Sequence, residues 1–235
     1  MTEQAQEQLT LSIRFRDQHD FDSFFMGANI QAVTALKQLC ASEGEPYIFI
    51  WGSEGAGCSH LLQAVCQQAT QQGLTSAYLP MAELIKLNPL LLDGMESLDI
   101  LCIDNIEQLE GLLEWQEALF HLFNRAREQH TRLLIAAHQS PRYMPFALKD
   151  LTSRLCQGVI FQISAMNDEE KAAAFVQRAH KRGIRLSDEV VHYILSRCPR
   201  QTQALFHILD QLDRRSLQAG RKLTIPFIRD VLGWG

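Results

Sequence analysis

Five short apolar runs divide the chain: Tyr47–Trp51, Thr75–Leu79, Leu98–Asp104, Arg132–Ala137 and Val159–Ile163. Within them apolar residues follow one another without alternation, as in Ile100-Leu101-Cys102-Ile103. A strand with one wet face alternates; a strand covered on both faces does not, which is the state of strands in a parallel sheet. Between the runs, apolar positions fall three and four apart. Leu61, Leu62, Val65, Cys66 and Ala69 share one helix face, and helical spacing also covers Ile30–Ala41 and Trp115–Glu128. Met81–Leu92 predicts an apolar helix broken at Pro89, and Leu151–Leu155 leads into the fifth run. Five strands alternating with helices predict a doubly wound α/β unit with a parallel sheet.

The pattern changes at Ser164. Asn167-Asp168-Glu169-Glu170 reads as a cap followed by acids, opening a helix that runs to Arg182-Gly183. Ser187 caps a second helix, Gln201–Ala219 forms a third, and Thr224 with Pro226 starts a short last one. The predicted division is a tail over 1–20, an α/β base over 21–164 and a smaller α-helical lid over 165–235. In the tail, Leu9, Leu11, Ile13 and Phe15 alternate. That suits a short edge strand, or an exposed peptide whose alternate side chains fill a partner's pockets.

The candidate chemistry lies at the end of the first run. Ile48-Phe49-Ile50-Trp51 passes into Gly52-Ser53-Glu54-Gly55-Ala56-Gly57-Cys58-Ser59-His60 and then into a helix. Strand, glycine loop and helix is the layout of a phosphate-binding loop, in which backbone N–H groups and the helix dipole face an anion. Gly52, Gly57 and Ser59 fit the pattern G-x-x-x-x-G-K-[ST], but Cys58 stands where lysine belongs. Ser59 can still reach Mg²⁺, while the charge that would hold the β- and γ-phosphates is missing. The competing reading is an ordinary glycine-rich β–α turn. A second signal shifts the balance: the run ending in Asp104 places an acid beyond a strand's carboxyl end, where open α/β sheets bind ligands. Asp104 beside the loop would hold the metal shell.

Composition narrows the partners. Of 235 residues, 46% are hydrophobic and 21% charged, a globular balance, and the net charge is -5. An acidic chain is a poor non-specific binder of nucleic acid. The six cysteines form no C-x-x-C pair, which suits buried thiols of a reducing compartment. With no signal-peptide pattern and no long apolar span, the expected location is the cytoplasm.

In order, the phosphate loop, the acid-ended strand, a later Ser-Arg segment and the helical lid are similar to the AAA+ class. More narrowly, the chain resembles the Hda family of regulators related to the bacterial initiator DnaA. The resemblance is carried by residues 21–29 (FDSFFMGAN), Cys102-Ile103-Asp104-Asn105-Ile106, Leu151-Thr152-Ser153-Arg154, Pro199-Arg200, Asp210-Gln211-Leu212-Asp213 and residues 221–227 (RKLTIPF). It covers nearly all of residues 8–232. It implies an AAA+ P-loop base with a five-stranded parallel sheet, and a nucleotide site of Phe24, Asn29, Gly52, Gly55, Ala56, Gly57, Cys58, Ser59, His60 and Arg200. It further implies Mg²⁺ at Ser59 and Asp104, and sensor residues at His138 and Arg200. Gln8, Leu9, Leu11 and Ile13 resemble a sliding-clamp-binding peptide in which Ser12 replaces a proline. Arg154 resembles an arginine finger acting in trans.

Three departures bear on turnover. Cys58 replaces the loop lysine, Asn105 replaces the second acid after Asp104, and His138 replaces a polar or acidic sensor. Losing a phosphate cation and a water-activating acid strips transition-state stabilisation, so the expected protein binds nucleotide and barely hydrolyses it. The family resemblance implies ADP as cofactor. It also implies docking on the DNA-loaded sliding clamp of DNA polymerase III, stimulation of hydrolysis of DnaA-bound ATP, and a block on re-initiation of replication. Little direct DNA binding is expected, since the helix-turn-helix domain that follows the lid in DnaA has no counterpart before Gly235. No membrane partner is expected, and a homodimer or larger oligomer is compatible with the class. The alternatives are a self-sufficient NTPase, a helicase-loader-type AAA+ protein and a DNA-binding regulator, the last at odds with the acidic balance.

Overall fold

The structure, a computed structural model, describes residues 19–41, 43–198, 202–219 and 222–234. Five parallel strands form one sheet: β1 (Tyr47–Trp51), β2 (Ser76–Pro80), β3 (Ile100–Asp104), β4 (Arg132–Ala137) and β5 (Val159–Gln162). Their order is β2-β3-β4-β1-β5. Successive side chains of a strand point to opposite faces, so an unbroken apolar run serves two cores at once. On one face, Phe49, Leu101, Ile103, Leu133 and Ile135 pack with Leu119, Leu122 and Phe123 of α4 (Leu113–Glu128). On the other, Ile48, Ile50, Ile100, Cys102, Leu134 and Ala136 pack with α1 (Ile30–Cys40) and α2 (Cys58–Gln71).

Two segments differ from the sequence reading. The helix expected over Met81–Leu92 lasts four residues, as α3 (Met81–Leu84), and returns only as a 3-10 turn at Pro89–Leu92. Pro89 lacks the N–H a continuing helix needs, and the Asn88 carboxamide caps the turn by accepting from Leu90 N at 2.9 Å. The stretch before the last strand is itself a helix, α5 (Lys149–Leu155). Its end is tied to β1, because Tyr47 OH donates to Leu155 O at 2.9 Å. Its start is tied to α4 through the buried Gln116, whose amide oxygen accepts from Leu148 N at 3.1 Å.

The helical unit contains α6 (Asp168–Lys181), α7 (Asp188–Leu195), α8 (Thr202–Ala219) and α9 (Ile225–Leu232). Phe175, Val190, Ile194, Leu205, Leu209, Leu212 and Ile228 form its own core. The cap predicted at Asn167 is a full capping box: Glu170 N donates to Asn167 Oδ1 at 2.8 Å, and Asn167 N to Glu170 Oε2 at 2.9 Å. Arg182 on the turn after α6 pairs with Asp210 and Asp213 of α8. At the end of the base, just before the lid, Asn29 brackets Ser164. Asn29 Nδ2 donates to Ser164 O at 3.1 Å, and Ser164 N donates to Asn29 Oδ1 at 2.8 Å. Lys181 Nζ also donates to Asp22 O.

Candidate nucleotide site

All strands being parallel, the residues after β1, β3 and β4 emerge at one end of the sheet. The turn after β1 is shaped by its glycines. A Cβ at Gly52 would meet Ile163 O at 2.6 Å and the Ala56 Cβ at 2.9 Å, so only hydrogen fits. Gly57 has φ 102°, a left-handed conformation from which α2 starts at Cys58. Gly52 N donates to Ala137 O at 3.2 Å and Leu61 N to Gly57 O at 3.0 Å, fixing the loop between β4 and the helix. The residue before α2 has no side chain to cap it, which leaves the first N–H groups of a fourteen-residue helix facing the loop.

A cleft of about 500 Å³ opens over this loop. Phe24, Asn29, Gly52, Gly55, Ala56, Gly57, Cys58, Ser59, His60, Asp104 and His138 all line it, so the predicted residues on the base converge. From the lid come Asp210, which the sequence reading quoted only as part of a family motif, and Arg178, Thr202, Phe206 and His207, which it did not single out. Arg178 stacks over the Phe206 ring at 4.6 Å. Arg200 and the tail residues Gln8, Leu9, Leu11 and Ile13 lie outside the described residues.

Three predicted residues have uses the sequence reading did not foresee. Asn29 lines the cleft with its amide held by Ser164. His60 Nε2 sits 2.9 Å from Asp20 O and 3.3 Å from Ser23 Oγ, tying the aromatic segment before α1 to the loop helix. Burial pushes the His60 imidazole down to about 4, so it is neutral at pH 7. Cys58, in the place of the loop lysine, opens α2. Burial, with the Asp104 and Glu107 carboxylates, pushes its thiol up to about 12. Cys58 therefore brings no charge of either sign to the loop.

Two residues missing from the sequence reading bond to cleft residues without lining the cleft themselves. Tyr78 on β2 donates its phenol to Asp104 Oδ2 at 2.7 Å. Asn105 takes φ 57° and starts a 3-10 turn, Ile106–Leu109, which turns Glu107 back toward β4. Glu107 pairs with His138 Nδ1 at 3.3 Å and accepts from His138 N at 3.3 Å. An acid two residues after position 105 thus lies against the sensor-position histidine, outside the lining of the cleft. Only a residue at positive φ redirects the chain so sharply, and asparagine is among the few that adopt it.

Among the described residues no cluster of three His, Cys, Asp or Glu could hold a metal unaided. The donor set instead fits a hard cation shared with phosphates: the exposed Ser59 hydroxyl and the Asp104 carboxylate, oxygen ligands both. Bound there, Mg²⁺ would neutralise phosphate charge.

Parallel sheet order, glycine loop, acid-ended β3 and helical lid define an AAA+ P-loop protein. Residues 15–162 match the model of the bacterial DnaA ATPase domain, and residues 168–232 match that of the Hda lid domain. The chain belongs to the bacterial DnaA ATPase-domain family and carries a lid of the Hda type, a DnaA-related replication regulator. Its fold is similar to domain III of the Thermotoga maritima replication initiation protein DnaA, at 22% identity and a TM-score of 0.74, covering 92% of this chain and 95% of that one. AMPPCP-bound DnaA from Aquifex aeolicus matches at 22% identity and a TM-score of 0.68, over 83% of this chain and 66% of that one. A Thermotoga maritima RuvB variant matches at 13% identity and 0.67, over 94% and 73%. No helix of the described residues is long and apolar enough to cross a membrane.

Proposed function

We propose that this protein holds a nucleoside diphosphate, ADP, in the cleft and acts on a second nucleotide held by DnaA. Docked on the DNA-loaded sliding clamp through Gln8, Leu9, Leu11 and Ile13, it presents Arg154 to the ATP of DnaA, stimulates hydrolysis and prevents re-initiation. The observation that carries this reading is the placement of Arg154. It lies in the last turn of α5, does not line its own cleft, and makes one long contact, to Gln157 Oε1 at 3.4 Å. Among the described residues no carboxylate pairs with it, although Asp150 is close in sequence. A half-buried guanidinium that lies outside its own cleft and has no acid beside it among the described residues suits a finger in trans, which contributes roughly 10³–10⁵ in rate.

The test is DnaA-bound ATP hydrolysis in the presence of clamp-loaded DNA. Wild type should stimulate; Arg154→Ala should not, while still binding ADP and clamp. Arg154→Lys should rescue poorly, since an ammonium lacks the planar fork. Deleting residues 1–13 should abolish clamp binding. The second reading, a self-sufficient NTPase, is favoured by Glu107 beside the cleft. Steady turnover of ATP by the isolated protein, lost in Glu107→Gln, would establish it instead.

A further inference from the structure

Asp104 is a carboxylate only 2% exposed, at the edge of a cleft read here as a diphosphate site. A buried charge next to anionic phosphates needs a partner. In P-loop proteins a lysine and a metal supply positive charge nearby, but Cys58 supplies none. Both Asp104 oxygens nevertheless have a donor: Oδ1 accepts from Asn105 N at 2.9 Å and Oδ2 from Tyr78 OH at 2.7 Å. The second bond follows from sheet register. Tyr78 stands opposite Cys102, and Cys102 and Asp104 are two apart on one face of β3. Tyr78 is therefore the diagonal cross-strand partner of Asp104, within reach of an aromatic side chain. On the helix above, Ser59 and Gln63 face the same phenol. An O–H donor to a carboxylate is among the stronger hydrogen bonds, and it spreads the negative charge without adding a cation.

We infer that Tyr78 is a positioning residue that holds the Asp104 carboxylate so that the cleft accepts a nucleoside diphosphate with or without a divalent cation. Without the phenol, Oδ2 is a buried, unpartnered anion, and phosphate can approach only behind a metal. The inference rests on the reading of the cleft as a diphosphate site. Asp104 and Ser59 remain the groups that would meet Mg²⁺, and Tyr78 sets how far binding depends on it.

The experiment is calorimetric titration of the full chain with ADP, in Mg²⁺ and in EDTA. Wild type should bind with affinities within about threefold in the two buffers, and Tyr78→Phe should match wild type in Mg²⁺ but weaken about tenfold or more in EDTA. In the Asp104→Asn background, which removes the charge, adding Tyr78→Phe should weaken ADP binding in EDTA no more than in Mg²⁺. Equal weakening of Tyr78→Phe in both buffers would mean a packing role and overturn the inference. A wild type that already loses tenfold or more in EDTA would overturn it without any variant, leaving the diphosphate reading intact. Wild type that binds no ADP in either buffer would remove the diphosphate reading itself, and this inference with it.

Discussion

Cys58 stands at one place where a P-loop protein brings positive charge to a phosphate, and Arg154, on the function proposed above, would stand at another. Cys58 occupies the lysine position inside the cleft, half-buried and held neutral. Arg154 lies on α5 outside the cleft, with no acid beside it among the described residues. The loop keeps the parts that grip a phosphate through its backbone, namely a tight Gly52 and a left-handed Gly57. It lacks the side chain that would favour a third phosphate. On the function proposed above, the difference means that holding a nucleotide and hydrolysing one would use separable groups, with the charge for the second carried on a different surface from the first.

The comparison can be broken most sharply at Arg154. Arg154→Ala should remove nearly all stimulation of DnaA-bound ATP hydrolysis, a loss on the order of 10³-fold or more in single-turnover assays. Full stimulation by that variant would place the charge elsewhere. Next comes His60, which ties the helix carrying Cys58 to the segment before α1. Its folded pKa of about 4 lies below the ordinary value of 6.5. Its contribution to stability is therefore complete above 6.5 and is lost as pH falls toward 4, since only the unfolded chain takes the proton in that window. Urea melts should show up to about 3 kcal/mol of acid-induced loss between those values, flattened in His60→Gln. A smaller effect is expected from Cys58→Lys, which restores the loop cation and should shift the ratio of triphosphate to diphosphate affinity by about tenfold, or 1.4 kcal/mol. An unchanged ratio would mean that the missing lysine does not set the preference. Smallest is Gln157→Ala, which removes the one contact to Arg154. Stability should stay within about 0.5 kcal/mol and stimulation should be nearly unchanged; a large loss would show that the arginine works only when held.

The sheet was readable because its three central strands, β1, β3 and β4, are buried on both faces, while the edge strands β2 and β5 are half-buried. Ile48-Phe49-Ile50 and Ile100-Leu101-Cys102-Ile103 leave no polar position for solvent. The cleft was readable where chain continuity places residues together, as in Gly52 through His60. It was not readable where pairing or turn geometry does so. Tyr78 reaches Asp104 through the register of β2 on β3, and Glu107 reaches His138 through one positive-φ residue. No spacing rule encodes either. Met81–Leu92 misled because four apolar residues in and around Pro89 look helical by composition, while Leu87 and Leu90 are exposed. Arg178 and Phe206 were invisible for a different reason: they belong to another unit's helices and meet the cleft only once the lid is seated.

The amide of Asn29 grips both the N–H and the C=O of Ser164, much as a neighbouring strand would. That fastens the chain like a rivet at the last point of the base. Three residues later the capping box locks Asn167 to the first turn of α6. Only Ala165 and Met166 lie between the two fixed points, and each contributes two soft backbone torsions. The direct connection between the units is therefore an axle with about four torsional degrees of freedom, and any swing of the lid must be taken up there.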